Sequence, residues 1–482
     1  MARLKESWKY VLFFLLICVP IFLYLGSLTI RLWDESRLAT NACEMLNSGN
    51  YITTTFNGAP DMWNTKPPLM IWLQVFSMKI FGVNEWAVRF PSAMAALITC
   101  IILLFFSIRY LKNFWFGFIW VLVLVTSSGF IEIHAARTGD YDALLTLFLT
   151  SAGLSFYIFL ENVRPRYLYL FFISMIFAVL TKSAAALLIL PGLFIYTIIK
   201  KKLLSLLKNK HLYFGFVIFL VCSCAYYFLR EMDSPGYINA ILNNEYGKRF
   251  FSTIEEHRHS FWFYFEYLFS YKFIIWVFFI PYGIYVGIKS KDLKIKNLTL
   301  FASLTVLSFF LVISSAQTKL TWYAVPMYPF LSLFVGLFIF HIFNLLIEKF
   351  SGKLYHCFFL ILIFLAPYTI ILSKIVRQKQ PVWQKEENGV CYYLKDMLHK
   401  KTQYDNFTIL YEGVFTHGKF YLNPLLTEGK NIKLKDCHKN FEIGEIVLFS
   451  QSDVKMFLEE HYELRILEEF HITGLYEIVG KK

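Results

Sequence analysis

Asp34 and Glu35 stand together just past the first apolar run, and in the same polar stretch Lys66 precedes two prolines. A carboxylate can take a proton from an acceptor hydroxyl, or orient it, as a general base does. A residue before proline is driven toward extended geometry, and proline suits the first turn of a helix. Lys66 is therefore expected at the mouth of a helix, with its ammonium free to meet an anion. Further polar groups recur along the chain: Arg37; His134, Arg137, Asp140 and Asp142; Lys182; His257 and His259 after Glu255 and Glu256; Lys319 and Tyr323. Each group adjoins an apolar run. Ionisable residues at membrane depth are costly and tend to be functional. The pattern predicts one site assembled from several loops, which holds a lipid-borne phosphate and steers a polar acceptor toward it.

Each group also has an ordinary structural explanation, and spacing does not separate the two. Asp34 and Glu35 suit the first turn of an amphipathic helix carrying Leu38, Ala42, Met45 and Leu46, where the dipole favours acids. Asp142 could simply cap a helix. Lys66, Lys182 and Lys319 could snorkel to water. His257 and His259, with Glu255 or Glu256, could hold a divalent metal such as zinc, or donate hydrogen bonds to a phosphate.

The elements that must position these residues are mostly membrane helices. Of 482 residues, 57% are hydrophobic and 17% charged, with a mean hydropathy of +0.51. Apolar runs near 10–30, 86–108, 114–131, 143–160, 167–181, 184–199, 212–229, 261–288, 298–314, 322–347 and 354–373 predict about eleven spans. The short run 67–82, opening with two prolines, predicts a helix at the interface. The net charge of +13 would suit nucleic acid, but its distribution speaks for topology instead. Loops on the amino-terminal side carry Arg and Lys far in excess of acids, as in Lys200-Lys201-Lys202, whereas the longer opposite loops are nearly balanced. The positive-inside rule then puts the amino terminus in the cytoplasm, and the polar clusters and carboxyl-terminal tail outside. Residues 1–30 lack a small-x-small cleavage pattern and are expected to stay as the first span.

Composition changes at Arg377-Gln378-Lys379-Gln380-Pro381. Residues 1–376 are expected to form the transmembrane domain and 377–482 a small soluble α/β domain. In the latter, 384–400 and 452–460 read as helices, and 407–411, 446–449 and 475–479 as strands. Cys391 and Cys437 both fall in this tail, where a disulfide is allowed but not required.

Six motifs in order carry a family resemblance: Trp33-Asp34-Glu35-Ser36-Arg37, Asn64-Thr65-Lys66-Pro67-Pro68-Leu69, Arg137 through Asp142-Ala143-Leu144-Leu145, Leu180-Thr181-Lys182, His257 through Tyr264, and Lys319 through Tyr323 with Pro326 and Pro329. Over about 370 residues the chain resembles the GT-C glycosyltransferases of the aminoarabinose transferase and protein mannosyltransferase group, glycosyltransferase family 39 and its relatives. The resemblance implies a mostly α, polytopic fold with about 11–13 transmembrane helices. It also implies inverting transfer from a polyprenyl-phosphate sugar to a lipid, glycan or protein acceptor at the periplasmic face of the bacterial inner membrane, with no nucleotide cofactor and no nucleic acid.

Carried over by position, Asp34 is the catalytic carboxylate and Asp142 the second acid. Arg37, Lys66 and Lys182 lie near the lipid phosphate, and Lys319 is a further candidate there. Glu35, Arg137, Asp140, His259 and Tyr323 are additional site candidates. His257 matches a metal-binding histidine, but the partner glutamate's place is held by Thr65. The competing reading is a lipid or polysaccharide transporter or flippase of the envelope, which calls for polar groups near the bilayer midplane and inverted repeats. The polar groups here gather on one side, and no repeat is visible.

Overall fold

The computed structural model describes residues 7–243, 259–349, 353–378, 382–399, 404–437 and 440–482. In chain order the first helices are α1 (Trp8–Phe22), α2 (Asp34–Ser48), α3 (Leu69–Phe81), α4 (Glu85–Phe106), α5 (Phe114–Val125), α6 (Ser128–Ile131), α7 (Tyr141–Asn162), α8 (Pro165–Lys182) and α9 (Leu190–Ile199). The chain divides into two compact units. The first comprises Met1–Leu25, Asp61–Leu73 and Arg89–Val376; the second comprises Gly26–Pro60, Gln74–Val88 and Arg377–Lys482.

The first unit is helical. Among the described residues seven segments of the chain are long and apolar enough to cross a membrane: Glu85–Leu111, Tyr141–Asn162, Pro165–Ile199, Lys210–Asp233, Leu293–Ser315, Thr321–Lys349 and Phe358–Val376. The protein is thus an integral membrane protein. α1, α3 and α5 are apolar but shorter. The count differs from the eleven apolar runs for physical reasons. Run 184–199 is only partly α-helical, being tightened to 3₁₀ geometry over Ser183–Ile189, and with the chain turned at Ser183 (φ 43°) α9 runs back so that Tyr196 reaches Glu161 at the end of α7. Pro191 lacks the N–H that would continue the ladder there. Run 261–288 is broken into Phe263–Tyr267, a π-turn at Leu268–Lys272, Ile274–Val277 and Ile280–Lys289, the last opening on Pro281.

Close approach of these helices depends on small residues, as is usual in membranes. A Cβ on Gly283 would lie 1.8 Å from the Phe334 carbonyl oxygen, so the Ile280–Lys289 and Tyr328–Lys349 helices meet backbone to backbone. Trp120 Nε1 donates to the Pro329 carbonyl at 2.8 Å, tying α5 to the same helix.

In the second unit a five-stranded sheet has the order β4-β3-β5-β7-β6, with β3 (Asn406–Leu410), β4 (Asn431–Lys435), β5 (Ile446–Phe449), β6 (Tyr462–Phe470) and β7 (Thr473–Lys481). β3 runs parallel to both β4 and β5, while β7 is antiparallel to β5 and β6. Parallel neighbours need a crossover, and the Thr416–Thr427 helix supplies the one between β3 and β4. The predicted helices and strands of this tail are all present, within a few residues. The Thr416–Thr427 helix, β4 and β6 were not anticipated. A two-strand hairpin, β1 (Thr55–Phe56) with β2 (Ala59–Pro60), also belongs to this unit.

α2 packs on the Thr416–Thr427 helix, where Ser36 Oγ and Thr416 Oγ1 lie 2.8 Å apart. Tyr421 donates its hydroxyl to Glu85 Oε1 at 2.7 Å and accepts the Ile30 N–H at 2.9 Å. Lys395 Nζ sits 3.0 Å from the same Glu85 oxygen. Cys391 and Cys437 are both buried free thiols, so the disulfide is not formed.

Candidate functional site

In the first unit the site grows from the hairpin of α7 and α8. Asp140 has extended backbone and stands as the N-cap of α7. Its Oδ2 accepts the Thr138 hydroxyl at 2.7 Å, and its carbonyl accepts Ser92 Oγ at 3.0 Å. Tyr141 and Asp142 therefore enter the first turn, both buried. α8 returns after two residues and stops at Lys182, because Ser183 takes φ 43°, a left-handed value that an ordinary side chain disfavours. The start of α7 thus adjoins the end of α8. A carboxylate suits the first location and an ammonium the second, by the helix dipole. Lys182 Nζ lies 2.5 Å from Asp142 Oδ1, with both side chains buried. Lys182 meets a carboxylate of its own chain, so it does not simply reach for water.

The segment before α3 completes this cluster. Asp61 Oδ1 accepts the N–H groups of Trp63 and Asn64, each at 3.0 Å, which curls the chain toward Lys66. Pro67 and Pro68 then lead into α3. Lys66 is buried, with Nζ 5.3 Å from the centre of the Tyr141 ring. Tyr141 donates its hydroxyl to Asn64 Oδ1 at 3.1 Å. On the other side of the ion pair, the Tyr323 ring centre is 5.2 Å from Lys182 Nζ. His134, itself at φ 61°, stacks on Trp322 at 3.8 Å and places Nδ1 3.1 Å from Asp140 Oδ2.

Other sequence candidates of this unit do different work. Arg137 is buried and donates to the carbonyls of Pro20 and Ile21 at 3.1 and 3.2 Å, capping the end of α1. Burial, reinforced by Arg89, draws its pKa down to about 10. Lys319 is buried and donates to the carbonyls of Ala316 and His259. His259 is exposed and stacks on Phe263. His257 lies outside the described residues. Thr65 is buried and offers no carboxylate, and its carbonyl accepts the Tyr237 hydroxyl at 2.8 Å. The metal-binding pair implied by the resemblance therefore lacks its carboxylate at position 65.

In the second unit Asp34 opens α2 after Trp33, whose φ of 76° is unusual for a bulky residue. The half-buried Asp34 carboxylate takes no hydrogen bond from any described residue of that unit. Glu35 is buried and accepts the Arg31 N–H at 2.9 Å, which is a local turn-closing role. Arg37 lays its guanidinium 3.6 Å over the Phe56 ring.

Sequence reasoning missed Arg230 and Tyr237. Arg230 is fully buried near the end of Lys210–Asp233, with Nη2 3.4 Å from the Asp61 carbonyl and its guanidinium 5.1 Å from the Tyr237 ring. Together they brace the backbone on both sides of Asn64. An arginine closing a long apolar run was the one available signal.

The dolichyl-phosphate-mannose-protein mannosyltransferase family matches residues 65–227, a span that includes Lys66, Asp142 and Lys182. An uncharacterized protein of Aquifex aeolicus is 28% identical over 68% of this chain and 64% of its own length. An undecaprenyl phosphate-α-4-amino-4-deoxy-L-arabinose arabinosyl transferase of Shewanella sediminis is 30% identical over 65% of this chain and 57% of its own length. The chain thus matches about three fifths of these relatives. In fold it is similar to ArnT from Cupriavidus metallidurans, solved bound to undecaprenyl phosphate, with a TM-score of 0.74, 16% identity and 98% of each chain covered. The chain thus shares the GT-C fold of ArnT, and over part of its length its sequence is similar to aminoarabinose transferases and to the mannosyltransferase family.

Proposed function

We propose that this protein is a membrane glycosyltransferase. It takes a sugar from a polyprenyl-phosphate donor and passes it, with inversion, to a lipid, glycan or protein acceptor at the periplasmic face of the inner membrane. The observation that carries this reading is the buried Lys182–Asp142 pair with Lys66 beside it, at the ends of spanning helices. Burying charge costs several kcal/mol per ion before partners repay it. Two lysines drawn to the first turn of α7 suit a polar ligand that carries negative charge.

The chemistry follows from the leaving group. A lipid monophosphate is already a stable anion, so departure needs no protonation by an acid. Lys66 and Lys182 stabilise the charge growing on that phosphate as the sugar bond breaks. Asp142 holds the Lys182 ammonium in place. Tyr141 and Tyr323 flank the two ammonium groups and exclude water. Asp34, by resemblance alone, takes the proton of the acceptor hydroxyl as it attacks the sugar carbon.

The test is incubation of purified protein in nanodiscs with a panel of polyprenyl-phosphate sugars and membrane acceptors, with mass spectrometry of the products. NMR of the new linkage reads inversion. Lipid movement across the bilayer without any sugar transfer would favour the transporter reading instead.

A further inference from the structure

The second unit carries an open groove of about 580 Å³, within the range of small-ligand sites, about 300–1,000 Å³. Its lining includes Glu44, Asn47, Asn57, Lys419, Asn423 and Leu426. We propose that this groove is a saccharide-binding site. The inference adds a saccharide site to the proposed transferase; it rests on that reading for its role, but not for binding itself.

Four observations carry it. First, the lining pairs one carboxylate with one ammonium, so its formal charge cancels and it selects neither anions nor cations. Second, three primary amides, from Asn47, Asn57 and Asn423, offer both donors and acceptors, as sugar hydroxyls require. Third, the Asn423 side chain hydrogen-bonds to the buried Cys43 thiol, which holds this lining amide in one orientation. Fourth, Leu426 and Leu434 are each 47% exposed and offer apolar surface to the C–H face of a sugar ring.

The rim is built in advance. Asn57 and Gly58 take φ values of 57° and 73°, as in a type I′ hairpin turn. Glu44 accepts their N–H groups at 2.8 and 3.2 Å, and Lys419 donates to Asn57 Oδ1 at 2.7 Å. A ligand therefore meets a turn that is already ordered, which lowers the cost of binding.

The experiment is saturation-transfer difference NMR on the full chain, in a detergent without a sugar headgroup, with maltotriose and chitotriose as probes. A saturable signal from at least one is expected, weakened at least tenfold in Asn423→Leu. Asn47→Trp fills the groove from its exposed rim without entering the core, and should weaken the signal equally. The proposal is overturned by no saturable signal from either sugar, or by signals that survive both variants. Binding of an alternating Val-Thr hexapeptide in place of sugar also overturns it, because the groove would then serve strand addition beside the edge strand β4. Transfer is assayed on the same preparations: sugar binding without transfer sinks the proposed function alone, and transfer without sugar binding sinks the groove alone.

Discussion

The Lys182–Asp142 pair makes the sharpest residue-scale predictions. Removing one partner leaves a buried charge uncompensated, which typically costs about 3–5 kcal/mol. Lys182→Ala should lower the thermal midpoint in detergent and abolish transfer. The double variant Lys182→Ala/Asp142→Ala should recover much of the midpoint but none of the activity. A double variant that still transfers sugar would remove the pair from the chemistry. Asp34→Asn should abolish transfer while the protein still folds and inserts, since that carboxylate has no hydrogen-bond partner among the described residues of its unit; retained turnover in membranes would refute its role. Both Asp142 and Lys182 stand out in the sequence as charges beside apolar runs. Their pairing did not, because residues 40 positions apart meet only through the return of α8 along α7. Lys319 and Arg137 show the same limit, since sequence marks a cation but not the carbonyls it will cap.

At the scale of elements, the segment from Asp61 to Pro68 is held by groups from three other parts of the fold. Tyr237, Tyr141 and Arg230 each fix a different point of it. Tyr237→Phe deletes a neutral hydrogen bond worth about 0.5–1.5 kcal/mol, or roughly two- to tenfold in an equilibrium constant. It should raise KM for the lipid donor by that factor while kcat stays nearly constant. A change confined to kcat would mean that Tyr237 does not act through Lys66 on binding. The prolines after Lys66 marked the start of α3 correctly. Elsewhere, apolar runs overstated continuity: Pro191 and Pro281 each interrupt a stretch that composition alone reads as a span.

For the molecule as a whole, the second unit has an acid-sensitive core. Burial pulls the His417 pKa from an ordinary 6.5 to about 4, against the opposing hydrogen bond to the Glu387 carbonyl. The unfolded chain takes up a proton below 6.5, while the folded unit resists until about 4. Stability should therefore fall as pH drops through that window, by up to roughly 3 kcal/mol. Hydrogen exchange over the Thr416–Thr427 helix at pH 7 and pH 5 measures it, and His417→Leu should flatten the dependence. A second test is Tyr421→Phe, which strips Glu85 of one donor and leaves the Ile30 N–H without its acceptor. Exchange should rise in this unit by the equivalent of about 1–3 kcal/mol.

What the chain determines on its own is set by local chemistry. Apolar length makes membrane helices, proline and left-handed residues end them, and a run of alternating or β-branched residues makes strands in the tail. Those signals lie within a few residues of each other and are read without the fold. Which segments join which body is decided only in three dimensions. Residues 26–60 and 74–88 pack with the tail through Tyr421, Glu85 and Thr416, contacts spanning more than 300 positions. The partner that neutralises Lys182 and the brace behind Lys66 are of the same kind. Long-range pairing depends on the sum of many packing choices, so no window of sequence contains it.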